Sequence, residues 1–219
     1  MVLSLDCPLS LETIEDNLRS EFRQNVVEQG IRNPALFLHR WAYLSSQVPR
    51  LHGAALARVT IPDIQYLLAE IAYGECGFGN RDQIHCKLLS QVIGLAPIPG
   101  LTQIDPNEDA DLIQCFETAV TDVCHMGQDE AIGFIVGLEA PAYDILALLK
   151  QALNQVGIPA AAVAQSEYIV IHDAVEQEHQ NSGHEAMEIV LANGCDLRQM
   201  ERGGHHAIRF LTSMVGQRS

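Results

Sequence analysis

Basic residues are scarce in this chain: 13 Lys and Arg stand against 28 Asp and Glu, a net charge of −15. A surface so short of positive charge argues against binding a phosphate backbone or an anionic membrane. Aromatics are also few, at 5%, with a single Trp. Cysteine offers no CxxC pair, and the positions 7, 76, 86, 115, 124 and 195 show no disulfide-scaffold spacing, so reduced thiols in a cytoplasmic protein are expected. The first residues, MVLSLDCPLSLE, have no basic stretch leading into an apolar one and do not read as a signal peptide. No phosphate loop, dinucleotide fingerprint or basic patch is present.

What is there is apolar and periodic. Hydrophobic residues make up 47% of 219 and charged ones 19%, which excludes disorder and suits one domain over 1–219 with an ample core. Ser10 caps an expected helix ending near Gly30, and Asn33-Pro34 caps a second that should stop before Pro49. Further helices are expected from Pro62 to the Gly74–Gly79 region and over 81–93, 108–125, 129–154, 166–192 and 196–216. The proline- and glycine-rich segment 95–107 is the clearest loop, with Asp105-Pro106-Asn107-Glu108 as the following cap. Tyr168 to Ile171 has strand propensity, but helical periodicity on both sides outweighs it. The expected fold is all-α, a single bundle of seven to eight helices.

One run, Ala131 to Leu149, approaches membrane-spanning length, but Glu139 and Asp144 would each cost about 2.5–3.5 kcal/mol to insert. A buried helix pair is the favoured reading, with Gly133 and Gly137 allowing close helix approach and Pro141 kinking the chain beyond Glu139.

The candidate chemistry sits on three elements. On the 166–192 helix, His172, Glu176 and His179 fall at about 0°, 40° and −20° around the axis. They share that stripe with Ile169, Gly183, Ala186 and Val190, so three ionisable groups lie on the inward face. Groups buried in this way need pairing or a bound cation, and either a hydrogen-bonded His–Glu–His cluster or a metal site meets that need. The second element is Glu139, a carboxylate inside an apolar run. The third is the segment from Glu75 to His85, where glycines break one helix and a new one begins. Together they offer three Glu and three His, a mixed carboxylate–imidazole set suited to Fe or Mn rather than to structural zinc, and sufficient for two metals.

With Glu75 and His85, Leu138-Glu139 and His172-xxx-Glu176-xx-His179, residues 60 to 195 resemble the haem-oxygenase-like di-iron oxidases and oxygenases. The family's last motif usually carries Asp where Glu176 stands, and the longer carboxylate would alter metal position or bridging. The resemblance implies a haem-oxygenase-like bundle and two irons per chain, or an iron–manganese pair. It also implies O₂ activation toward a small amine, amino acid or fatty acid. The ligands it implies are His85, Glu139, His172, Glu176 and His179, with Glu75 as a further carboxylate and Glu70 as its competitor.

Lys150 matches a functional lysine in a death-domain-associating member, and a solvated helix end is its plainer account. Tyr143 is a pocket or redox candidate, or else a core aromatic. Two alternatives accompany this reading. One is a metal-free enzyme of the thiaminase or cofactorless-oxidase type, with Cys124 as its test residue; the other is a non-catalytic interaction protein. His205-His206 diverge by about 100° on a helix and read as a surface pair at a helix start. No nucleic-acid or membrane partner is expected, whereas an acidic bundle with spare apolar surface is able to form a homodimer.

Overall fold

The computed structural model describes residues 9–174 and 189–216, and among these it is helical throughout, with no strand. Helix α1 (Leu11–Phe22) begins where the Ser10 hydroxyl accepts the Thr13 N–H at 3.1 Å, and it buries Leu11, Ile14, Leu18 and Phe22 along one stripe. A wide π-type turn (Arg23–Val27) follows, and the chain reverses at Gly30 with φ +66°.

Helix α2 (Pro34–Leu56) starts as expected, with Asn33 accepting the Leu36 N–H at 3.0 Å and Pro34 at the first position. It does not stop before Pro49. A proline inside a helix costs about 3 kcal/mol. Here the buried stripe resumes beyond it at Leu51, His52 and Ala55, and packing against neighbours outweighs the lost hydrogen bond. As a result α2 runs through the molecule and touches α3 to α7 and the last helix.

Helices α3 (Pro62–Glu75), α4 (His85–Ile93) and α5 (Ala110–His125) follow. The expected helix start at Arg81 moves to His85, because the intervening residues form a tight turn through Gly77, Phe78 and Gly79, all at positive φ. A side chain at Gly77 would place its Cβ 2.5 Å from the Asn80 carbonyl, so only glycine fits that turn. The cap of α5 shifts as well: Asp109 occupies the N-cap position, and its carboxylate accepts the Asp105 N–H at 2.9 Å.

The apolar run divides into α6 (Gln128–Glu139) and α7 (Ala142–Gln155), with the break at Ala140-Pro141. By length and composition Gln128–Gln155 could cross a membrane, but over half of its most apolar window is buried within the fold, as a core helix pair would be. A short α8 (Ala160–Gln165) leads into α9, which begins at 167 and is described to 174. That settles Tyr168 to Ile171 as helix. After Gly194 at φ +67°, α10 (Leu197–Val215) is capped by Asp196.

Among the described residues the most extensive helix pairing joins α6 to α10. A Cβ on Gly133 would lie 1.9 Å from the Met200 carbonyl, and one on Gly203 would lie 1.9 Å from the Glu130 carbonyl. Gly137 faces Gly204 in the same way. Backbone therefore rests directly on backbone, and this seam fixes where the end of α6, with Glu139, is held.

Candidate metal centre

Five helices present polar groups to one cavity. The turn after α3 folds the chain back so that Glu75, the last residue of α3, faces His85, the first of α4. The separation of His85 Nδ1 from Glu75 Oε2 is 3.3 Å. From α9, the His172 ring stacks obliquely on His85, with ring centroids 4.6 Å apart. The Tyr168 carbonyl lies 2.7 Å from His172 Nδ1; a carbonyl can only accept, so Nδ1 carries the proton and Nε2 presents its lone pair. Across the cavity, Glu139 Oε1 lies 3.5 Å from Nε2 of His52, a residue of α2.

The cavity holds about 150 Å³, room for on the order of five waters. Trp41, Leu44, Val48, Ile71, Leu146 and Leu149 supply much of its apolar wall, with Ser45 and Tyr168 as polar interruptions. Phe78 stands at the rim, 58% exposed, with its ring over Gly74 and edge-on to Tyr73. A shallower surface hollow of about 390 Å³ beside Tyr43, Cys86 and Lys87 contains no carboxylate or imidazole.

Burial alone would push the Glu75 carboxyl up, but the facing His85 outweighs it and holds the group below the ordinary carboxylate value. Burial, then the neighbouring His85, lowers His172, which keeps its ring neutral and able to bind a cation. Burial, then the Glu75 charge, raises the Tyr168 phenol well above its ordinary value, so the hydroxyl keeps its proton.

The polar accounting is uneven. Among the described residues, four buried side-chain polar atoms lack a hydrogen-bond partner, and three of them are His52 Nδ1, His52 Nε2 and His85 Nδ1. Each such atom costs about 1–3 kcal/mol if left unsatisfied. A cation is one group that would satisfy them, and the oxygen and imidazole donors suit iron in type. The donors stand as two pairs, 75–85 and 52–139. Among the described residues no three His, Cys, Asp or Glu close on one point as a finished metal-holding group.

Of the residues expected from sequence, Glu75, His85, Glu139 and His172 all line this cavity. Glu176 and His179 lie outside the described residues. Glu70 also lines the cavity, but its carboxylate accepts the Tyr66 hydroxyl at 2.6 Å, whereas Glu75 faces His85. Tyr143 is 43% exposed and does not line the cavity, so neither the pocket role nor the core role holds. Lys150 is not simply solvated, since it bridges both carboxylate oxygens of Asp173, at 2.7 and 2.9 Å, and ties α7 to α9. His205 and His206 sit mid-helix in α10 rather than at its start, and they diverge to Glu21 and to Asp122 respectively. Cys124 is exposed, and among the described residues no cysteine lines the cavity.

His52 and Tyr168 were not among the residues picked out as site candidates from the sequence. The signal for His52 was present in the spacing Trp41, Ser45, Val48, His52, which forms one stripe of a helix that continues past Pro49.

Neither the curated proteins nor the solved structures supply a match to the chain. A profile of iron-containing redox enzymes does match, over residues 35–210, a span that includes every donor described above. Fold, donor chemistry and profile agree, and the chain belongs to the haem-oxygenase-like family of iron-containing redox enzymes.

Proposed function

We propose that this protein is a non-haem di-iron oxidase or oxygenase that uses O₂ on a small organic substrate such as an amine, an amino acid or a fatty acid. The observation that carries the reading is the set of buried imidazole nitrogens that, among the described residues, lack hydrogen-bond partners and face carboxylates in a mostly apolar cavity. Glu75, His85, Glu139 and His172 would hold the metals, joined by Glu176 and His179, with two irons or an iron–manganese pair per chain. Bound metal would supply the O₂-activating redox chemistry that these side chains lack.

The chain's own residues contribute the rest. The apolar wall excludes water and favours an uncharged or acyl portion of the substrate. Tyr168 keeps its phenolic proton and can donate a hydrogen bond to a polar group seated near His85 and His172. His172, with Nδ1–H committed to the main chain, offers Nε2 in a fixed orientation. A cavity of about 150 Å³ limits the enclosed part of the substrate to a small group. The protein is proposed to work in the cytoplasm, without nucleic-acid or membrane partners.

A metal-free enzyme relying on a thiol nucleophile is disfavoured, because no cysteine among the described residues lines the cavity. Anaerobic Fe(II) loading followed by oxygen-uptake measurement tests the reading. Two irons per chain, lost in His172→Ala and Glu139→Ala with helicity intact, together with iron-dependent O₂ consumption, are expected. Failure of the wild-type chain to bind Fe(II), or equal activity after chelation, would overturn it.

A further inference from the structure

We infer that His52 is a seventh donor of this centre, binding a cation beside Glu139 from helix α2. The inference rests on the functional reading above and adds a ligand to it. His52 is 1% exposed, and neither ring nitrogen has a hydrogen-bond partner among the described residues. A neutral imidazole carries one N–H and one lone pair, and burying both unmet is costly. Among the described residues Glu139 is the acid that faces it, and the 3.5 Å between Nε2 and Oε1 is not a hydrogen bond.

That separation is close to what a shared cation gives. Two donors each about 2.0–2.2 Å from one metal, at the angles of tetrahedral or octahedral sites, stand roughly 3.0–3.5 Å apart. The Glu75–His85 pair has the same character at 3.3 Å, again with an unpartnered ring nitrogen. The centre thus has two similar halves, each a carboxylate facing an imidazole, and His52 does for Glu139 what His85 does for Glu75. Trp41, Ser45 and Val48, the residues preceding His52 on its stripe, offer no charged group to serve as an alternative partner.

The test is metal binding by the full chain, using anaerobic Fe(II) titration and the ligand-field absorption of Co(II), for wild type, His52→Leu and His52→Gln. Glutamine can still donate a hydrogen bond to Glu139 but replaces imidazole poorly as a ligand. Both variants are expected to bind one of the two metals at least tenfold more weakly, with a changed Co(II) spectrum and unchanged helicity. Wild-type affinity and spectrum in either variant would overturn the inference and leave the functional reading standing. Absence of Fe(II) and Co(II) binding by the wild type would overturn both. Should the variants not fold, anomalous diffraction from Co(II)-loaded wild-type crystals decides: a metal within about 2.3 Å of a His52 nitrogen supports ligation, and one beyond hydrogen-bond distance refutes it.

Discussion

Helix α6 takes part in two regions built on opposite principles. Along Gly133 and Gly137 it presses backbone to backbone against α10, with no room for one added carbon. At its end, Glu139 opens into a cavity where buried nitrogens lack partners. The seam gains stability from close packing and lacks functional groups; the cavity holds the functional groups and forgoes packing. The contrast shows how a bundle can carry an internally unsatisfied site: the unfavourable groups hang from an element whose position is fixed elsewhere.

The largest expected effect breaks the seam. Gly133→Leu should destabilise the protein by about 3 kcal/mol or more, because the clash is with the main chain of Met200, which cannot rotate away. Thermal unfolding should fall by roughly 6–12 °C for a chain of this size. A smaller effect of opposite sign is expected at the cavity. His52→Leu should raise the stability of the metal-free protein by about 1 kcal/mol, since it removes two unmet polar atoms and keeps the bulk. Denaturant unfolding of the chelated proteins checks this, and a loss of stability would mean that His52 is satisfied in the metal-free state.

Away from both regions the effects should be minor. Arg50 holds Glu117 through two contacts, at 2.7 and 2.9 Å, on the exposed side of α2 and α5. The hydrogen bond from Arg50 lowers the Glu117 carboxyl. Its folded value therefore lies below its unfolded one, and the contribution is present above about pH 4.5 and lost as pH falls through the folded value. Being exposed and screened, the pair should be worth under about 1 kcal/mol. Glu117→Gln should differ slightly from wild type at pH 7, and the difference should shrink as pH falls through the folded value.

The smallest perturbation is a probe. Cys195 precedes α10, and burial, then the Asp129 carboxylate at the start of α6, pushes its thiol up to about 11. At pH 8 it should react with thiol reagents roughly a hundredfold more slowly than a free cysteine in solution does. That protection should disappear in Gly133→Leu and persist in His52→Leu, so one reagent separates the two regions.

How much of this was legible in the sequence also differs between the regions. Gly133 and Gly137 sit four residues apart in an apolar run, a pattern that states close helix approach outright. Their partners Gly203 and Gly204 carry no such signal, because nothing local shows which helix a glycine will meet. In the cavity, Glu75, His85, Glu139 and His172 were recognisable by residue type, and the turn after α3 brings the first two together. His52 was lost through a local rule. Proline normally ends a helix, and a helix ended before Pro49 leaves His52 on no stripe at all. Long-range packing along α2 overrides that preference, and a window of a few residues does not contain it.

Tyr168 holds the tautomer of His172 through its carbonyl and forms the cavity wall through its phenol. Only the second duty is written in the side chain. Residue 168 can therefore be exchanged to reshape the pocket while the orientation of His172 is inherited from the backbone. For an engineer this is a way to change the shape of the pocket that is mechanically separate from the orientation of His172.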